Sequence, residues 1–361
     1  MKSIIGLWVF VLSIGTGLFG LPMRGNAQVL NFYGAAHSNF QYTGRVDFSN
    51  PSLPRFYAPG VYVTASFSGN TCEILLNDEE LYGKNHNYIS VVVDDRPAKR
   101  IKLQEKNNTI NIGHDLGKGP HTLVICKSTE SGIGYLEFIG IKCEALLKPK
   151  TQPSRRIEFI GNSITCGMGS DLSIPCGSTA DWFDQHNAYL SYGPLTARAL
   201  NAQWQLTAVS GIGLIHSCCD MKLTMPDVYD KINLRDNALP WDFSKYQADV
   251  VTVCLGQNDG VQDSLKFCGA YVSFVGQLRK VYPKATIICL TSPMADDGLA
   301  TVQKKYLDGI VSHVNASGDS NVSHYYFSKR WDKGCGSHPS LDEHREIAAE
   351  LSAAIKKIKH W

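Results

Sequence analysis

The sequence predicts two joined domains: an N-terminal β-sandwich of the jelly-roll kind, then an α/β domain built on a parallel sheet. Three observations carry this. The chain has 361 residues, more than one typical core organises. Its two halves have different hydrophobic rhythms. A polar, proline-containing stretch at 148–153 separates them, and its prolines disfavour continuing either a helix or a ladder. The expected division is a leader at 1–27, a sandwich at 28–147, a linker at 148–153 and an α/β domain at 154–361.

In the first half, short runs rich in Val, Ile and aromatics alternate with Gly, Asn and Asp. Those at 61–67, 72–76, 88–93, 109–112, 121–126 and 135–141 have the length and composition of strands. Six or more at this spacing, with no clear helix between them, predict a sandwich. In the second half, 156–161, 203–209, 250–255 and 286–290 predict strands. The run at 250–255 is almost continuously apolar, as a strand buried on both faces must be. Between them, 192–200 (with Pro194 in its first turn), 270–281, 299–314 and 341–359 predict helices. Strands alternating with helices make an α/β domain with a parallel sheet. There is no internal repeat and no low-complexity tract.

Composition excludes several classes. With 35 Lys+Arg against 33 Asp+Glu, the formal net charge is +2, which gives no electrostatic footprint for nucleic acid. Hydrophobic residues at 43% and charged residues at 19% describe a globular chain, not a disordered one. The N-terminus carries Lys2, an apolar run from Ile4 to Leu21 and the small-residue site Gly25-Asn26-Ala27. That pattern predicts a secretory signal peptide cleaved near Ala27, hence a secreted or periplasmic protein with no membrane attachment after cleavage. An exported chain permits disulfides, and its 11 Cys leave at least one thiol unpaired within the chain. Cys254 and Cys289 sit in apolar strands and read as buried thiols; pairing among the others stays open. There is no CxxC and no HExxH, so neither a metal site nor any other cofactor is expected. Oligomeric state stays open.

The reactive residue types cluster at strand ends, where open α/β sheets place their sites. Gly161-Asn162-Ser163 follows the first strand, Ser210-Gly211 the second and Gln257-Asn258-Asp259 the third, while His338 precedes the last helix. A hydroxyl needs a base such as imidazole to become a nucleophile. A glycine N–H and an Asn amide can donate to a developing oxyanion. Each residue also has a plainer use: Ser163 as a helix cap, Gly211 as a packing glycine, Asn258-Asp259 as an Asx turn. No dinucleotide fingerprint, P-loop or GxSxG elbow is present.

At these residues the chain resembles the SGNH (GDSL-like) hydrolase superfamily, whose four name-giving positions match Ser163, Gly211, Asn258 and His338 in order. It is more closely similar to carbohydrate esterase family 2, on FIGNSITCGMG, NAYLSYGPLTARALNAQW, VSGIGL, TMPDVYD, LGQND and SHPSLDEH. The resemblance implies a jelly roll joined to an SGNH domain that removes acetyl groups from plant-type polysaccharides or oligosaccharides such as xylan. It implies Ser163 as nucleophile and His338 as base. It implies an oxyanion hole made by the Ser163 and Gly211 N–H groups and the Asn258 side chain. Two other readings are a catalytically weak carbohydrate-binding protein, and a lipase or thioesterase acting on other acyl groups.

The chain departs from the superfamily at Asn162, where Asp is usual. It departs also at Cys335, three residues before the histidine, where many members have Asp. Similarity to some family 2 members then implies a Ser–His dyad in which a main-chain carbonyl orients His338; the alternative read from the sequence itself is a distant acid, Asp332. Trp331, Tyr192 and Trp182, with Tyr189, are the candidate aromatic faces for sugar rings; core packing is their plainer use.

Overall fold

The computed structural model describes Met1 and residues 30–113, 116–177, 179–236 and 238–361. The leader expected at 1–27 lies, beyond Met1, outside the described residues. Strands β1 (Asn31–Gly34), β2 (Gln41–Thr43), β3 (Val46–Asp47), β4 (Arg55–Phe56), β5 (Tyr62–Ser68) and β6 (Glu73–Asp78) open the N-terminal domain. Strands β7 (Tyr88–Val93), β8 (Lys99–Lys102), β9 (Asn107–Asn111), β10 (Pro120–Lys127), β11 (Leu136–Cys143) and β12 (Ala145–Leu147) complete it. They form two antiparallel sheets, ordered β3-β4-β11-β6-β9 with β1 on β11, and β12-β5-β10-β7-β8 with β2 on β5. Alternation sets the inner face. In β6, Ile74 and Leu76 are buried while Glu73 and Leu75 are half-exposed, and Phe67, Leu123, Ile125 and Phe138 join them in the core.

The second domain runs β13 (Arg155–Gly161), α1 (Ser163–Cys166), α2 (Tyr192–Ala199), β14 (Ala202–Ala208), α3 (Met225–Val228) and β15 (Val250–Val253). It continues with α4 (Ser264–Val281), β16 (Thr286–Leu290), α5 (Asp297–Ala316), β17 (Val322–Tyr325) and α6 (Leu341–Lys359). The strands form a parallel sheet in the order β14-β13-β15-β16-β17. All residues of β14, β15 and β16 are buried. β14 lies on one side of β13 and β15 on the other, so the winding reverses at β13, and ligands bind beyond strand ends at such a point. Helix α6 starts at a capping box formed by Ser340 and Glu343 and ends with Lys356, Lys357 and Lys359 in its last turn, charges that suit its dipole. No helix among the described residues is long and apolar enough to cross a membrane.

The domains are welded by buried groups. The Trp204 indole donates to the Gly60 carbonyl at 2.9 Å and its ring stacks on Tyr62 at 4.0 Å between centroids. Arg45 reaches across to Glu158 at 2.9 Å, both side chains fully buried. Thr207 and Gln205 donate to the same Glu158 oxygen at 2.6 and 2.9 Å. Removing one partner of such a pair strands a buried charge, which costs about 3–5 kcal/mol in general. These contacts hold the first domain against β13 and β14 of the second.

Candidate active site

Strand β13 delivers Ser163 to the end of the sheet. The Asn162 side chain accepts from the Ile164 N–H at 3.2 Å, capping α1, and Ser163 is the helix's first residue, 5% exposed. The chain then turns back through Gly169, whose φ is +68° and whose missing Cβ would fall 2.3 Å from the Cys335 carbonyl oxygen. Glycine is required there because another loop lies directly on it.

That loop carries His338. The Cys335 N–H donates to the Gly169 carbonyl at 2.7 Å, and the Leu341 N–H to that of Ser170 at 3.0 Å. Cys335 is also joined by a disulfide to Cys176, 159 residues away, across 5.5 Å between Cα atoms. His338 Nε2 stands 2.8 Å from Ser163 Oγ, and Nδ1 stands 3.0 Å from the Gly336 carbonyl oxygen. A carbonyl only accepts, so Nδ1 carries the hydrogen and Nε2 is left to accept from the serine hydroxyl. Asp332 is elsewhere: its carboxylate pairs with Arg330 at 3.1 Å on the surface.

Gly211 and Asn258 close the third side. Gly211 has φ +83°, and a Cβ on it would meet the Cys218 sulfur at 2.8 Å. Among the described residues, neither the Ser163 nor the Gly211 N–H donates to another protein group. The Asn258 amide nitrogen donates to the Ile212 carbonyl at 2.8 Å. Asp259, almost fully buried, accepts from the N–H groups of Leu214, Ile215 and His216 at 2.7–3.0 Å and pins the loop that follows Gly211. Three strand ends and one pre-helical loop thus bring Ser163, Gly211, Asn258 and His338 to line one cavity.

The comparisons with known proteins agree with this architecture. The carbohydrate esterase 2 N-terminal family matches residues 42–153, and the GDSL-like lipase/acylhydrolase family matches 159–359. The chain is 28% identical over 370 residues to an acetylxylan esterase / glucomannan deacetylase of Cellvibrio japonicus, covering 98% of this chain and 99% of that one. It is 32% identical over 330 residues to the cellulase/esterase CelE of Acetivibrio thermocellus, covering 89% of this chain but spanning only 39% of that protein's length. A solved family two carbohydrate esterase from Clostridium thermocellum, in complex with cellohexaose, superposes with a TM-score of 0.82 at 31% identity, covering 89% of this chain and 99% of that one. The chain belongs to carbohydrate esterase family 2. That is a family of carboxylic ester hydrolases.

In this family 2 esterase the serine and histidine open into a cavity of about 450 Å³, within the range of small-molecule sites. Trp182, 49% exposed, forms one wall. Met168, Ser210, Cys218, Cys219, Gln257 and Met294 line the rest. Met168, Ser210 and Gln257 lie inside the stretches that carried the resemblance, without a role having been given to them, whereas Cys218, Cys219 and Met294 lie outside those stretches. Two of the aromatic candidates need correction. Tyr192 is fully buried, its hydroxyl 2.8 Å from Thr165 Oγ1. Trp331 is 1% exposed, its indole donating to Glu346 at 2.9 Å and its ring edge-on to Phe327. Neither presents a face to a ligand. Tyr189 lines a separate cleft of about 430 Å³ at the domain junction, which Ser163 and His338 do not reach. Among the described residues there is no group of three or more His, Cys, Asp or Glu placed to hold a metal ion.

Proposed function

We propose that this esterase is exported and removes O-acetyl groups from plant-type polysaccharides or oligosaccharides through a Ser163–His338 dyad. The observation that carries the reading is the 2.8 Å contact between His338 Nε2 and Ser163 Oγ, with the ring oriented by the Gly336 carbonyl. As Ser163 Oγ attacks the ester carbonyl, its proton passes to His338 Nε2. The oxygen that becomes negative is met by the Ser163 and Gly211 N–H groups and the Asn258 amide. His338 then gives its proton to the departing sugar hydroxyl. Water, deprotonated by the same nitrogen, releases acetate from Ser163. A neutral carbonyl stabilises the imidazolium less than a carboxylate does, so the oxyanion donors carry a larger share of catalysis.

The substrate class is supported by the names of the relatives and by the cavity, whose Trp182 wall offers an apolar face to a pyranose. Export is supported by the N-terminal pattern of Lys2, the apolar run and Ala27. Acetate release from acetylated xylan, glucomannan and pectin, with Ser163→Ala as control, tests the proposal. Release from at least one polymer by wild type alone is the expected result. Binding to polysaccharide without release would favour the binding-protein reading. A rise in rate with acyl length across nitrophenyl esters would favour the lipase reading.

The pH dependence follows from the dyad. Burial holds the His338 imidazole below its ordinary value, and the Gly336 carbonyl on Nδ1 works in the opposite direction without overcoming it. The general base must be neutral. A depressed pKa keeps Nε2 free as pH falls, so the acid limb of kcat/KM should have its midpoint below about 6.5. A midpoint above that value, measured on 4-nitrophenyl acetate, contradicts this account of the base.

A further inference from the structure

Glu130 lies in the N-terminal domain, in the loop that follows β10, and is 1% exposed. Its carboxylate enters the second domain and touches three segments of the site. Oε2 accepts from the Ser210 N–H at 2.6 Å, immediately before Gly211. The Cys166 thiol, three residues beyond Ser163, reaches the same oxygen at 3.7 Å. Oε1 lies 3.0 Å from Nε2 of the fully buried His186, whose ring stands edge-on to Trp182 at 5.0 Å. The Glu130 loop is itself held from within: the buried Lys127 ammonium donates to the carbonyls of Thr129 and Glu130 at 2.7 and 3.0 Å. We infer that Glu130 is a positioning residue, through which the N-terminal domain sets the direction of the Gly211 N–H and the seat of the Trp182 wall. The inference rests on the Ser163–His338 reading above.

The physical case is geometric. Holding the Ser210 N–H on a carboxylate orients the peptide plane that enters Ser210, and the peptide plane that leaves the same residue carries the Gly211 N–H, the proposed oxyanion donor. A charge-assisted bond of this length is stronger and more directional than a neutral one. Burial works against the charge on Glu130, but the His186 ring and the Ser210 N–H outweigh it and hold the carboxyl below the usual range. An ordinary structural ion pair would tie two elements together. This carboxylate instead bridges the nucleophile turn, the oxyanion loop and the pocket wall at once.

Glu130→Gln tests it. The amide keeps the shape and loses the charge and one acceptor oxygen. The expected result is a fall in kcat of about 10–100-fold, the range a displacement of an ångström or less produces, with KM within about twofold. Inhibition by phenylboronic acid, which forms a tetrahedral adduct on a serine nucleophile, should weaken in step with kcat. The acid limb of kcat/KM should also shift, because Glu130 and its partner His186 bear on protonated His338 in opposite directions. The other titratable groups that bear on these two residues are His186, His344, Cys166 and Lys127, and all stay in the variant. Glu130→Asp keeps the charge on a shorter arm; it should lower kcat while leaving the acid limb in place. Wild-type kcat and boronate affinity in folded Glu130→Gln overturn the proposal. If that variant does not fold, Glu130→Asp decides by the same two measurements. Inactive Ser163→Ala beside fully active Glu130→Gln rejects only the role of Glu130. Active Ser163→Ala rejects the dyad beneath it.

Discussion

Replacing Ser163 by Ala should lower turnover of 4-nitrophenyl acetate by about 10⁵–10⁶-fold, and His338→Ala should cost about as much. Nucleophile and base act as a unit in serine hydrolases, where removing either costs nearly what removing both does. The double variant should therefore be no worse than either single one. The fold should be untouched. Ser163 Oγ bonds to His338 Nε2, and the backbone is held by the Asn162 cap, which Ala at the next position leaves in place. Melting curves of the three variants check this, and single-turnover kinetics check the rate. Losses of His338→Ala and Ser163→Ala that multiply in the double variant would mean that the two residues act independently, and the dyad would be wrong.

The parts of this site that are legible in the sequence are those whose chemistry forces them next to a strand end. Ser163, Gly211 and Asn258 directly follow apolar runs, and His338 directly precedes a capping box, so neighbours in sequence already give their place in the sheet. Aromatic rings have no such constraint. Trp331 is seven residues from His338, yet its ring turns inward to Phe327, whereas Trp182 lies in a long irregular loop and reaches the cavity. That loop is held from the other domain, by Tyr88 and Lys102 donating to Asp184 at 2.7 and 2.9 Å, a tie between segments more than eighty residues apart. The Cys176–Cys335 pairing is illegible for the same reason.

Fold detail follows a similar rule. The fully buried strands at 250–253 and 286–290 announce themselves by continuous apolarity. The edge strand Val322–Tyr325, with a His and a Ser among its four residues, does not. Helix α4 begins at Ser264, six residues before the apolar periodicity becomes plain, because the Asp263 side chain caps it by accepting from the Lys266 N–H at 2.9 Å. Glu130 is the extreme case. Its neighbours Ser128, Thr129 and Ser131 are small and polar, a composition that gives no hint of burial, and only tertiary packing encloses them.

Asn258→Ala should lower kcat by about 10²–10³-fold with little change in KM, the loss expected for one oxyanion donor. The amide nitrogen has two hydrogens. One is engaged by the Ile212 carbonyl at 2.8 Å, which fixes the plane of the group and leaves the second for the oxyanion of the proposed mechanism. A ground-state ester carbonyl gains little from that donor, so the penalty belongs in kcat. Here the penalty should lie toward the upper end of that range, because a backbone carbonyl on Nδ1 leaves the imidazolium without a carboxylate partner. Truncation also strands the Ile212 carbonyl, at about 1–3 kcal/mol if no water replaces the amide. A small drop in melting temperature should therefore accompany the kinetic loss without explaining it. Asn258→Asp separates the two effects: it retains the shape, supplies only acceptors, and places a negative charge beside the forming oxyanion. Its kcat should fall at least as far as that of Asn258→Ala. An Asn258→Ala variant with normal kcat and raised KM would make the side chain a ground-state binding group, and the oxyanion assignment would pass to the two backbone amides alone.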